Sequence, residues 1–480
     1  MKRFSRICAF ALTLAIACGM AFGCNKGSEH ELKISFYDGG YGQAWAYALA
    51  EKYEAETGVK ITVDPSKTLQ ADIPNMLENG TDSDILFSHG IIWELAALQG
   101  KIEPLNDLYE MECDDGTVKD RILPELLDDC KLKFNGNYYK LPWTNGAGGL
   151  VYNKVLFDKY GWDVPETYEE LVALCETIEQ AAIVVNPEAP AHSRRTIKPF
   201  AWSSETYYWD YLVFDWWAQL EGVDSINNYK KLESADVLDP SKGYKFPEAV
   251  QLWVDLIKPH EVNGVMRDYS IEGSSGRDYI SAQNDFINGY AAMMPCAQWF
   301  ESEMRDNIDP EKCEMILMPA PAAPGAKTDG NGEVIRVNYQ VGGGDSIIIP
   351  ACSKNKEEAK RFLAFMCRED NAKLFTERTL GVMLGLVYED LDGIAEKYLT
   401  SFSKSVFEIN MNSVKFNLYS QNNMVLNNKI TLEWADTGVN EYANLYAGTS
   451  NVDEIFTTRF NTISENFDQW KSESDAIYGG

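Results

Sequence analysis

The stretch Leu141–Leu174 reads LPWTNGAGGLVYNKVLFDKYGWDVPETYEELVAL. Its second half starts a helix. Thr167 and Glu170, just after Pro165, form a capping box, and Leu171, Leu174 and Ile178 recur on one face. GGLVYN, 148–153, reads as a strand. Ahead of it a large ring and two small polar residues, Trp143, Thr144 and Asn145, lead into Gly-Ala-Gly-Gly. Glycine carries no Cβ penalty on φ and ψ. The segment therefore reads as a joint between one folded unit and the next, a hinge with recognition groups beside it.

Upstream, LKISFYDGG alternates Leu32, Ile34 and Phe36, the period of a strand, and stops at Gly39-Gly40. QAWAYALAEKYEAETG spaces Trp45, Leu49 and Tyr53 four apart, with Gly58 as a helix stop. VKITV is a second strand, IPNMLENG a short helix, DILFSHG a third strand, and IIWELAALQG a helix ending at Gly100. This β-α-β-α-β run implies a parallel sheet with helices on its faces. Ligands on such sheets sit at the carboxyl ends of strands. Tyr37, Asp38, Ser88 and His89 are the candidates there.

Four blocks now occur in a telling order: DILFSHGIIWELAALQGKIEPLND, YYKLPWTNGAGGLVYNKVLFDKYGWDVPETYEEL, DFINGYAAMMPCAQWFESEM and GGGDSIIIPACSKNKEEAKRFLAFM. Together they resemble the extracellular solute-binding proteins, family 1, which deliver sugars to ABC importers. One departure is MMPCAQWF, where that family commonly has Asn-Gly before the tryptophan. The resemblance implies an α/β, two-lobe periplasmic-binding-protein-like fold. Each lobe would be a mainly parallel sheet flanked by helices, joined by a multi-segment hinge that closes on its ligand. The first lobe would take 32–142 plus about 338–390, and the second about 146–336 plus 391–480. The resemblance also implies a monomer without cofactor or catalysis. Its partners would be a carbohydrate, an oligosaccharide by expectation, and the ABC permease subunits. It places Trp143 and Trp299 at the cleft.

Read on their own, the residues agree. Sugars present an apolar C–H face and a rim of hydroxyls; flat rings serve the face, and Asp, Asn, Glu and His serve the rim. The candidate binding set is Asp38, His89, Trp143, Thr144, Asn145, Trp202, Tyr208, Trp209, Trp299, Glu301, Gly344 and Asp345. Trp143 stands outside any periodic apolar run, so it is expected to stack on the sugar while Thr144 or Asn145 holds a hydroxyl. In PFAWSSETYYWDYLVFDWWAQLEG, Trp202 and Trp209 are expected to face ligand, and Trp216 and Trp217 the core. GGGD, 342–345, lacks a P-loop lysine and suggests close backbone approach instead. DGNGE lacks the sixth-position glycine and closing glutamate of a calcium loop and reads as a turn. The four histidines show no zinc spacing. Two other readings stay open. One is a secreted glycoside hydrolase, since 73 acidic residues guarantee coincidental carboxylate pairs. The other is a polyamine binder using Asp38, Asp210, Glu301 and Asp345.

The N-terminus reads as an export signal. Lys2, Arg3 and Arg6 precede an uncharged apolar run, 7–22, that ends before Cys24. Cleavage before Cys24 and lipid attachment to it are expected, with Cys18 a lesser alternative, leaving 24–31 as a tether. The mature protein would then be anchored to the outer face of the cell membrane. Losing residues 1–23 removes three positive charges and no negative ones, taking the formal charge from −30 to −33. Such a chain repels nucleic acid. Seven further cysteines, an odd number, suggest buried thiols rather than a disulfide framework; Cys113 with Cys130 and Cys296 with Cys313 are the candidate local bridges.

Overall fold

A computed structural model describes residues 31–203, 208–341, 345–418, 426, 430 and 441–478. Two sheets organise the chain. In the first, β1 (Glu31–Tyr37) lies between β2 (Lys60–Ser66) and β3 (Ile85–Ser88), parallel to both. The crossovers are α1 (Ala44–Thr57) and α2 (Leu69–Asn79). α1 buries Trp45, Leu49 and Tyr53 and stops at Gly58, whose φ of 75° is left-handed. The short strands Ser346–Ile348 and Leu141–Pro142 extend the sheet beyond β3.

The second sheet runs in the order Val414–Phe416, Val337–Val341, Gly146–Asn153, Ala291–Ala297 and Lys198–Phe200, with Met315–Met318 also paired to Gly146–Asn153. Both sheets are buried on two faces. Phe36 and Phe87 pack with α1 on one face of the first sheet, while Leu86 and Ile348 pack with Trp93 on the other. Helix Trp209–Glu221 covers one face of the second sheet, and helix Ser401–Asn412 packs on the other.

In each sheet one strand runs against its partners. Ser346–Ile348 is antiparallel to both neighbours, and Gly146–Asn153 to all three of its partners. Both follow a hinge crossing. A strand that starts at the hinge must run away from it, whereas the others run towards it and end there. The sheets are therefore mainly parallel, as expected, with one reversed strand each.

The expected lobe boundaries need correcting. Val337–Val341 pairs with Gly146–Asn153, so Asn338 is still in the second lobe, and the first resumes at Asp345. Ile394 and Leu399 belong to the first lobe's core and Phe402 to the second's, which puts the last crossing near Thr400 rather than after Asp390. The seven described cysteines are free, six of them buried, so neither candidate bridge forms. No described helix is long and apolar enough to cross a membrane.

Candidate ligand-binding cleft

The strand ends converge between the lobes. β1 runs out into Tyr37-Asp38-Gly39-Gly40-Tyr41, and β3 into His89. The second lobe brings Tyr208 and Tyr211 at the start of helix Trp209–Glu221, and Tyr279 at the start of helix Tyr279–Ile287. It adds Trp299 just after strand Ala291–Ala297, Glu303 on helix Phe300–Met304, and Tyr339 on strand Val337–Val341. With Trp143, Val341 and Asp345 these groups, Asp38 excepted, line a cleft of about 340 Å³, within the range of small-molecule sites.

The rings brace one another. Tyr208 and Tyr211 meet Trp299 with centroids 5.6 and 5.8 Å apart, and Tyr211 lies parallel to Tyr339 at 6.0 Å. Across the cleft Tyr37 meets His89 edge-on at 4.5 Å. Such offset and edge contacts fix ring planes, giving a rigid apolar wall. The glycine-rich joint serves this wall by closeness. A Cβ on Gly148 would meet the Tyr211 ring at 2.9 Å, and one on Gly146 would meet Gln298 Oε1 at 1.9 Å. Neither residue has positive φ, so space rather than torsional freedom selects glycine at both places.

The polar side centres on Asp345. Its Oδ2 accepts from the Tyr41 hydroxyl at 2.8 Å and from the Thr144 hydroxyl at 3.0 Å. Gln298 Nε2, from the second lobe, donates to Thr144 Oγ1 at 3.4 Å. Burial raises the Asp345 carboxyl from its ordinary value, although His89 and the two hydroxyls pull it back. Burial likewise raises Glu303, which accepts from Gln283 Nε2 at 2.8 Å.

Of the expected set, His89, Trp143, Tyr208, Trp299 and Asp345 line this cleft. Trp143 is a correction in kind. It is 1% exposed and packs against Tyr41, Trp45 and Phe87 at 5.1, 5.7 and 5.6 Å, so it is a core ring with only an edge at the cleft. Thr144 stands behind Asp345, and Asn145 is buried with its N–H on Met383 O at 3.0 Å. Asp38 adjoins the cleft but accepts from Gln43 at 2.8 Å. Trp202 and Trp209 lie in the second lobe's core instead, with Trp202 Nε1 donating to Ser270 Oγ at 2.8 Å. For Trp209 the cause is helical periodicity: Tyr208 and Tyr211 share the cleft-facing side, and Trp209, Leu212, Val213 and Trp216 the buried one. Glu301 accepts from Thr400 at the hinge, and Glu303, two residues on, takes the cleft position. Gly344 and Cys24 lie outside the described residues.

Sequence reasoning missed Tyr41, Tyr211, Tyr279, Tyr339 and Glu303. Tyr211 was within reach, three residues after Tyr208 on one helix. Among the described residues no cluster of His, Cys, Asp and Glu could hold a metal ion.

Residues 39–373 match the model of the bacterial extracellular solute-binding proteins. The chain is 25% identical over 393 residues to a diacetylchitobiose binding protein of Streptomyces coelicolor, covering 80% of this chain and 75% of the relative. It is 27% identical over 238 residues to a multiple sugar-binding protein of Streptococcus mutans, covering 49% and 48%. Among solved structures, one from work on xylan utilization by a Caldanaerobius polysaccharolyticus superposes with a TM-score of 0.65 at 18% identity, covering 90% of this chain and 100% of the other. A chitin oligosaccharide binding protein gives 0.61 at 18%, covering 88% and 95%. These likenesses fit the two reversed-strand sheets and the cleft between them: the chain belongs to the bacterial extracellular solute-binding proteins.

Proposed function

We propose that the chain is the substrate-binding component of an ABC importer, capturing a neutral carbohydrate in the interlobe cleft and delivering it unchanged to the membrane permease. The observation that carries this reading is the composition of the cleft wall. Seven tyrosine and tryptophan side chains besides Trp143 line it, with His89, Glu303 and Asp345 as its hydrogen-bonding rim. The sugars in the relatives' names supply the ligand class.

Turnover is disfavoured by where the carboxylates stand. A glycosidase holds two carboxyl groups at a set separation of ~5–9.5 Å. Here Asp345 belongs to the first lobe and Glu303 to the second, so hinge motion changes their spacing. A polyamine site is disfavoured too, because of Asp38, Asp210, Glu301 and Asp345 only Asp345 lines the cleft. Thermal shift over a panel of neutral oligosaccharides and polyamines tests the ligand class. Oligosaccharides should raise the melting temperature, and product analysis of the same mixtures should find them intact. Stabilisation by polyamines alone, or sustained hydrolysis, contradicts the reading.

Export and tethering complete the proposal. Lipid on Cys24 would hold the mature chain at the outer face of the membrane. Cys24→Ala should move the protein from the membrane to the soluble fraction of a lipoprotein-processing bacterium. Identical partition of wild type and variant contradicts the tether.

A further inference from the structure

A second cavity, of about 580 Å³, is lined by His192, Arg194, Arg195, Lys198 and Arg277, with Glu272 as its one carboxylate. That is unusual on a chain with a formal charge of −30. The cations are not equivalent. Lys198 is saturated: its ammonium donates to both Glu179 oxygens, at 2.9 and 2.8 Å, and to Asp268 O at 2.9 Å. Arg195 and Arg277 share a single carboxylate. Arg195 Nη1 lies 2.7 Å from Asp285 Oδ1, and Arg277 Nη1 donates to Oδ2. One negative charge therefore serves two guanidinium groups and holds them side by side. Arg195 also rests on the Tyr290 ring, 3.8 Å from its centroid, which fixes its plane. Arg194 donates through Nε to Ala189 O at 3.1 Å, and no described carboxylate pairs with it.

A guanidinium has five N–H donors. The contacts above, with Arg277 Nη2 on Glu272 O at 3.1 Å, use one donor of Arg194, one of Arg195 and two of Arg277. All three arginines line the cavity, and so do Ser193 and Thr196, each with a hydroxyl. Planar forks that take oxygens two at a time, joined by hydroxyl donors, match a phosphate group. No residue lines both this cavity and the cleft. We infer that it is a second ligand site, for a phosphate ester, distinct from the cleft. A soluble phosphorylated molecule and a phospholipid headgroup share that chemistry.

The test uses the full chain. Calorimetry at fixed ionic strength titrates glycerol 1-phosphate and inorganic phosphate, and flotation uses phosphatidylcholine vesicles with and without phosphatidylglycerol. Glycerol 1-phosphate binding in solution assigns a soluble source, and binding to phosphatidylglycerol vesicles alone assigns the membrane. In whichever arm binds, Arg194→Gln should weaken binding about tenfold, the loss of one charge-assisted contact. Glu272→Gln should tighten it severalfold by removing the competing carboxylate. Both side chains are exposed, so folding should persist, as a melting curve checks, and cleft-ligand affinity should not change. Absence of binding in every arm overturns the site. So does binding that neither substitution alters.

Discussion

Gly40 of the first lobe lies on Trp299 of the second. A Cβ built on Gly40 would meet the Trp299 side chain between 2.6 and 2.7 Å, closer than real Cβ contacts come. The lobes thus touch in this arrangement through a residue whose missing side chain makes the contact feasible.

Gly40→Ala isolates that contact. Gly40 has no positive φ, so the added methyl strains no torsion and acts only when the lobes close. Overpacking of this kind costs ~1–3 kcal/mol, so ligand Kd should rise about 5- to 150-fold. The unliganded melting temperature should stay put. Unchanged affinity in calorimetry would show that closure does not use this contact.

Trp143→Ala should damage the fold before the site. The ring is buried among Tyr41, Trp45 and Phe87, and truncating such a ring costs ~3–5 kcal/mol. Chemical denaturation of the unliganded protein reads this directly. A normal denaturation midpoint with abolished binding would mean the ring stacks on ligand after all.

Glu94 should make stability fall as pH rises. The side chain is 3% exposed on helix Trp93–Leu98, and Oε2 has no hydrogen-bond partner. Burial pushes its carboxyl from 4.5 to about 7, with Lys140 only partly offsetting. Below pH 4.5 the group is neutral whether the chain is folded or not, and its contribution is at its most favourable. As pH rises through about 7 the folded chain must ionise it in a dry setting, at a cost on the order of 3 kcal/mol. Melting temperature should therefore drop between about pH 4.5 and 7. Glu94→Gln should flatten that slope and stabilise the protein at pH 8. An identical slope in the variant assigns the effect elsewhere.

Much of the fold was legible because it rests on periodicity. The alternation of Leu32, Ile34 and Phe36, the four-residue spacing in α1 and the Thr167–Glu170 box each reappear as read. The hinge was legible as a place but not as a mechanism. Its glycines read as torsional freedom, which holds at Gly149, whose φ is 152°, whereas Gly146 and Gly148 make room for Gln298 and Tyr211, residues distant in sequence. The site was legible where a strand end delivers it, as with His89, and where the family resemblance places it, as with Trp299. It was misread where ring type was taken for ring exposure: Trp143, Trp202 and Trp209 are large enough that the cores claim them. Tyrosines took the cleft instead, since a phenol presents a flat face and keeps a polar tip. Which of Glu301 and Glu303 faces the ligand depends on the turn of a five-residue helix, which no periodicity in the sequence fixes.

The central claim is that the cleft holds a neutral sugar against the second lobe's rings. Its most direct measurement is calorimetric titration of the neutral oligosaccharide that most stabilises the wild type, against wild type and Trp299→Ala. Covering ~100 Å² of ring face contributes ~2.5 kcal/mol, so the variant should bind about 70-fold more weakly with its unliganded melting temperature little changed. Equal affinity in the two proteins, or no neutral oligosaccharide that binds the wild type, would contradict the account.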